Sequence, residues 1–220
     1  MLNMIRMAAL SGLLLSSSAC ASPVRDMVVA AQMDNFTEVK KLLGKGLSPN
    51  TVDPVSGETV LMVALREGSE GVVAALIADQ RLELERQAPN GNTALMLAAF
   101  KRNRSAVVAL IVRGAVVTRP GWTALHYAAA SGDSDIVAIL LEHHAYIDAA
   151  SPSALTPLMI AAREGQREVV ELLLREGADA SLRNNEKLSA SQIAVRADHK
   201  VIAAVIDDHV AGLPIKRLSQ

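Results

Sequence analysis

Gly121 to Ala129 reads GWTALHYAA, and 33 residues after Thr123 the chain reads TPLMIAA, from Thr156 to Ala162. In both stretches a threonine stands five positions before a small alanine. The same pair can be followed outward in both directions. Thr59, Thr93 and Ser189 stand five residues before Ala64, Ala98 and Ala194. With Ala30 added, the alanines are separated by 34, 34, 30, 33 and 33 residues, a period in the range of stacked repeat architectures.

Thirteen to eighteen residues after each threonine comes an aliphatic set. The sets are Val72, Val73, Leu76, Ile77; Val107, Leu110, Ile111; Ile136, Val137, Leu140, Leu141; and Val169, Val170, Leu173, Leu174. A spacing of i, i+1, i+4, i+5 marks one face of a helix. Each period therefore holds a helix that carries the aliphatic stripe. The chain is half hydrophobic but only 2% aromatic, so Ala, Val, Leu, Ile and Met supply the apolar mass. That composition favours close helix packing over a large β-sandwich.

GWTALHYAA, TPLMIAA and LLLREGADA (Leu172 to Ala180) resemble the signature of the ankyrin repeat. The resemblance implies an all-α solenoid of about six repeats, each a hairpin or loop followed by two antiparallel helices. Physical reasons accompany each recurring residue. Thr at a helix start accepts a backbone N–H, and Pro157 fits the first helical position, where its missing N–H costs nothing. The pairs Ala98-Ala99, Ala128-Ala129 and Ala161-Ala162 let neighbouring first helices approach closely. Gly68, Gly132 and Gly165 end first helices, and Gly46, Gly114 and Gly177 end second helices. Arg102 and Gln80 occupy positions where the pattern prefers Gly.

The copies are expected near 22–52, 53–86, 87–117, 118–150, 151–183 and 184–209, with a tail over 210–220. The first is truncated, beginning near Arg25, with Gln32, Lys40 and Lys41 on a polar outer face. In the last, Ser191 replaces Leu, and Asp207 and Asp208 make a polar cap. Between the third and fourth copies, Arg113 to Trp122 (RGAVVTRPGW) is three residues short, predicting a clipped hairpin.

Residues 1–21 read as a secretory signal: Arg6, a short apolar run from Met7 to Leu15, and a small-residue exit, SSSACA. The run is too short to span a bilayer, which takes about 20 residues. Cleavage before Ser22 at Ala19-Cys20-Ala21 gives a soluble exported protein. Cleavage before Cys20 would instead give a lipoprotein, although Ser17 stands where a lipobox usually carries Leu. Cys20 is the one cysteine, which excludes an intrachain disulfide framework and a cysteine metal cluster. A formal net charge of −1 without a basic stripe argues against nucleic acid as partner.

His143-His144 lacks zinc-ligand spacing, and His144 aligns with Gly177 at a helix end, where His tolerates the left-handed region. His126 has no nucleophile or carboxylate partner at a defined place, so it is read as structural. Met62, Met96 and Met159 share its repeat position; packing is the simpler reading, and copper binding or oxidation sensing the alternative. No cofactor or metal is implied.

The family resemblance places partners on the hairpin tips and the exposed side of the first helices. By phase these positions are Ser56, Glu58, Arg66, Glu67, Asn90, Asn92, Phe100, Lys101, Arg119, Trp122, Ser131, Leu155, Arg163 and Glu164. Phe100, Trp122 and Leu155 are large apolar groups at positions normally exposed, a pattern that fits a binding hot spot. The competing reading has Trp122 packing over the short junction and Phe100 covering the next helix. The expectation is a monomeric, non-enzymatic binding or adaptor protein of the bacterial periplasm whose partner is another protein. A lipid-anchored envelope scaffold and an exported effector acting on host proteins are the alternatives.

Overall fold

The structure, a computed structural model, describes residues 22–212. The expected signal at 1–21, Cys20 included, and most of the tail lie outside the described residues. Twelve helices follow one another in pairs. They are α1 (Pro23–Gln32), α2 (Phe36–Gly44), α3 (Val60–Glu67), α4 (Glu70–Ala78), α5 (Ala94–Phe100) and α6 (Arg104–Val112). The second half comprises α7 (Ala124–Ser131), α8 (Ser134–Glu142), α9 (Pro157–Arg163), α10 (Arg167–Arg175), α11 (Ala190–Arg196) and α12 (Lys200–Val210). Odd-numbered helices pack against one another in order, as do even-numbered ones, and each odd helix packs on the even helix that follows it. The result is a two-layer stack whose core is continuous from Met27 to Ile206.

Side chains enforce this layering locally. Thr59, Thr93, Thr156 and Ser189 cap α3, α5, α9 and α11 by accepting the N–H of Met62, Met96, Met159 and Gln192 at 3.3–3.4 Å. The paired alanines of α5, α7 and α9 are completely buried, so the first helices meet with no side-chain spacer between them. Gly132 ends α7 at φ 79°, in the left-handed region. His144, after α8, takes φ 64°, and Arg102, after α5, takes φ 57°, so both non-glycine residues adopt the geometry that glycine takes in other copies.

Gln80 does not. There the chain leaves α4 through Asp79 in an extended conformation (φ −74°, ψ 118°). The carbonyls at that end are bound from the next copy: Arg113 Nη1 donates to Ile77 O and to Asp79 O. Arg81 holds the Asp79 side chain through two hydrogen bonds of 3.0 and 2.7 Å, which lower its carboxyl to about 2.

The polar outer face expected of the first copy is mixed. α1 exposes Val29 and Met33 as well as Gln32, because no described element lies before it to cover them. At the other end Asp207 is exposed, but so are Val195 and Val201.

Among the described residues the loops between copies carry one isolated bridge, Val52 to Thr59. Turn bonds close the second, third, fifth and sixth fingers, as in Gly57 N–H to Asp53 O, Gly91 N–H to Ala88 O, Ala154 N–H to Ser151 O and Lys187 N–H to Asn184 O. Among the described residues, 116–122 makes no such bond, so the clipped junction runs without a reverse turn. The fingers are also tied to one another. Asn50 accepts the N–H of Glu83, Glu85 that of Val116, Thr118 that of Tyr146, and Asp148 that of Asp179, at 2.7–3.2 Å.

Candidate functional site

The third residue of each first helix decides how its start is held. In α7 that residue is His126, which is buried. The Thr123 N–H donates to its Nδ1 at 3.2 Å, so Nδ1 is the unprotonated nitrogen and Nε2–H faces the Leu155 carbonyl at 2.9 Å. One ring thus closes its own helix start and ties the fourth copy to the fifth. Burial lowers the imidazole pKa, although the Leu155 carbonyl pulls the other way. Met96 makes the equivalent back-contact through sulfur to the Thr93 N–H at 3.5 Å, and Gln192 through Oε1 to the Ser189 N–H at 3.0 Å. Met62, Met96 and Met159 are all buried at these positions, so the methionine row is part of the packing.

Above His126 lies an aromatic cluster. Trp122 meets the His126 ring edge-on at 5.2 Å. Tyr127 lies 6.1 Å from Trp122 and 6.1 Å from Phe100, the latter pair at 88°. Perpendicular and tilted contacts at these distances suit the quadrupoles of the rings. The Tyr127 hydroxyl donates to Asn92 Oδ1 at 2.6 Å, which orients it from the preceding finger. Phe100 remains 49% exposed and Trp122 37%. Phe100 and Trp122 thus each pack on Tyr127 across the junction and still present surface to solvent. Leu155, expected to be exposed, is half-buried against the core.

Tyr127 was not among the expected contact residues. It lies inside the TALHYAA motif, and its partial exposure follows from neighbours in another copy. Several expected residues satisfy one another instead. Arg66 pairs with Glu58 at 3.1 Å and with Glu67 at 2.7 Å, and Arg163 with Glu164 at 2.9 Å. Ser56 donates to Asp53 Oδ2 at 2.7 Å and shapes its fingertip, while Ser131 donates to the Ala99 and Ala128 carbonyls. Asn90 accepts the Asn92 N–H within its own turn. Beyond Leu155 a groove of about 480 Å³ opens, bounded by Leu155, Arg163, Leu188, Ile193 and Arg196.

A family model described as "Ankyrin repeats (3 copies)" matches residues 27–120, 78–152, 116–184 and 146–211. The chain belongs to the ankyrin repeat family. The ankyrin repeat domain of Bcl-3 superposes with a TM-score of 0.67 at 28% identity, covering 81% of each chain. Among curated relatives, human SH3 and multiple ankyrin repeat domains protein 2 is 31% identical over 173 residues, which is 77% of this chain and 9% of that protein. A putative ankyrin repeat protein of fowlpox virus is 32% identical over 144 residues, 61% of this chain and 42% of its own length. The chain thus spans a minor part of these relatives.

Ankyrin repeats are protein–protein interaction modules, generally without enzymatic activity. Among the described residues no group of three or more His, Cys, Asp or Glu could hold a metal ion. His143 and His144 end α8 in the ankyrin turn, the former as C-cap and the latter left-handed. No helix among the described residues is long and apolar enough to cross a membrane.

Proposed function

We propose that this ankyrin repeat chain is a non-enzymatic binding or adaptor protein of the bacterial periplasm that recognises a partner protein through the face around Phe100, Tyr127 and Trp122. The observation that carries the reading is this three-ring cluster. Asn92 bonds Tyr127, His126 packs on Trp122, and Tyr127 meets Phe100, yet Phe100 and Trp122 keep surface in solvent. Rigid aromatic groups bind with little loss of conformational freedom, and such residues dominate interface energetics. The preference for a bacterial, exported protein rests on the signal-like residues 1–21 and on the Met variants of the repeat motif, TALMLAA and TPLMIAA.

The test pairs a folding control with recovery from the cell envelope. The double variant Phe100→Ala, Trp122→Ala is expected to keep the helical circular dichroism of the parent and to lose the partner the parent retains. Equal recovery by a folded double variant refutes the assignment of the face. Mass spectrometry of the mature amino terminus decides the anchoring question separately. A start at Ser22 fits soluble export, and a lipidated Cys20 fits an envelope-tethered scaffold.

A further inference from the structure

Charges on the first-helix face are balanced on either side of the aromatic cluster but not beside it. Arg66 is paired with Glu58 and Glu67, Arg163 with Glu164, and Arg196 with Glu186. Lys101, next to Phe100, and Arg119, three residues before Trp122, have no carboxylate within ion-pair distance among the described residues. Arg119 is half-buried in the clipped junction, and its Nη1 is enclosed by protein with no hydrogen-bond acceptor. A guanidinium that has lost water on one side and gained no acceptor carries an uncompensated desolvation cost. A carboxylate presented to the part that remains accessible offsets that cost, and partial burial makes the pairing stronger than at an open surface.

The surroundings narrow the class of ligand. Glu67 and Glu164 stand on the flanking copies and the chain's formal net charge is −1, which disfavours a polyanion such as nucleic acid. The rings and the groove floor formed by Leu155, Leu188 and Ile193 call for apolar side chains. Trp122, Leu155 and Leu188 are the same repeat position in successive copies. Packed helices sit roughly 10 Å apart, so Trp122 to Leu188 spans about 20 Å, the length of about six extended residues.

We infer, on the binding reading proposed above, that this face takes an extended, acidic-apolar segment of a partner protein. One carboxylate of the segment pairs with Arg119, and Lys101, beside Phe100 at the end of α5, attracts the acidic segment as a separate charge. A neighbouring aromatic or aliphatic side chain lies on the Phe100–Tyr127–Trp122 rings, and a second apolar group, about six residues away, enters the groove at Leu188 and Ile193.

Random eight-residue peptides displayed on phage and selected on the purified protein provide the test. A selected peptide is then synthesised and titrated while the emission of Trp122, the chain's single tryptophan, is followed. Selected sequences are expected to place Asp or Glu beside an aromatic or aliphatic residue. Binding should weaken about tenfold in Arg119→Gln, with partial recovery in Arg119→Lys, and roughly two- to threefold in Lys101→Gln. It should also weaken as salt is raised. Lys101 is exposed, so Lys101→Gln keeps the test decisive even where Arg119→Gln loses its fold. Peptides without acidic residues, lost in Phe100→Ala but indifferent to both charge variants, overturn the acidic segment and leave the binding face standing. Peptides indifferent to Phe100→Ala, or no selection at all, overturn both. Binding of a dT12 oligonucleotide in place of any peptide also overturns the inference.

Discussion

His126 does two jobs with one ring, and the first requires it to be neutral. Its Nδ1 accepts from Thr123 and its Nε2 faces the Leu155 carbonyl. Burial holds its pKa below the ordinary value of 6.5. In the unfolded chain the imidazole takes up a proton near that ordinary value, whereas in the fold it resists until lower pH. Stability from this residue is therefore fully present above about pH 6.5 and is lost as pH falls toward the lowered folded value. Met96 and Met159 show which side chain fills the position without titrating. His126→Met is expected to remove part of the decline in stability between about pH 6.5 and 5, measured by urea unfolding at both pH values. An unchanged decline would assign the acid sensitivity elsewhere. The sequence made His126 legible as structural, because no reactive partner stands near it in the motif. It did not reveal the bond to Leu155, which is made by the backbone of another copy. Tyr127 was hidden for the same reason: Asn92 and Phe100, which position it, come from the preceding copy.

The ends of the helices record where the repeat pattern was followed and where it was repaired. His144 sits after α8 at φ 64°, where Gly114 and Gly177 take φ 93° and 91° in the neighbouring copies. A left-handed residue with a Cβ costs more than glycine, and among the described residues the imidazole makes no hydrogen bond that would be lost; what is used is the His144 carbonyl, which accepts from Thr118 and survives substitution. His144→Gly is expected to stabilise the protein by about 0.5–1 kcal/mol, raising Tm by about 1–4 °C in a thermal melt; a lower Tm would contradict this account. This helix end could be read in advance from alignment of His144 with Gly177. Gln80 could be seen only as a mismatch. Its remedy is the side chain of Arg113, more than thirty residues further on, and no local pattern signals such a cap. The missing turn at 116–122 was legible as a three-residue deficit, whereas the enclosed, unpaired nitrogen of Arg119 was not.

At the scale of the whole chain, stability in a stacked array is a sum of each copy's own contribution and its contacts with neighbours. The central copies have a neighbour on both sides, whereas α1 and α2 are covered on one side only among the described residues. Amide hydrogen exchange should therefore be slowest in α5, α7 and α9. Protection in α1 and α2 is expected to be lower by about tenfold or more, corresponding to about 1.4 kcal/mol in the opening free energy. Uniform protection from α1 to α11 would show instead that the stack opens as one unit. The composition and the Thr–Ala register predicted the all-α solenoid because every copy repeats the same solution to burying one apolar face. The mixed surface of the first copy escaped that logic: Val29 holds the apolar register of Val63 and Ile160, which are buried, but no described element lies before α1 to cover it.

The ties between fingers have a consequence for how such a chain can change its length. Their acceptors differ in chemistry, being an amide, a carboxylate, a hydroxyl and again a carboxylate, but in every case the donor is a backbone N–H. A joint that reads only main chain is indifferent to the side chains of the unit it meets. Duplication or loss of a unit can therefore leave a serviceable joint behind, and the residues on the exposed face are free to diverge without disturbing the connections that hold the array together.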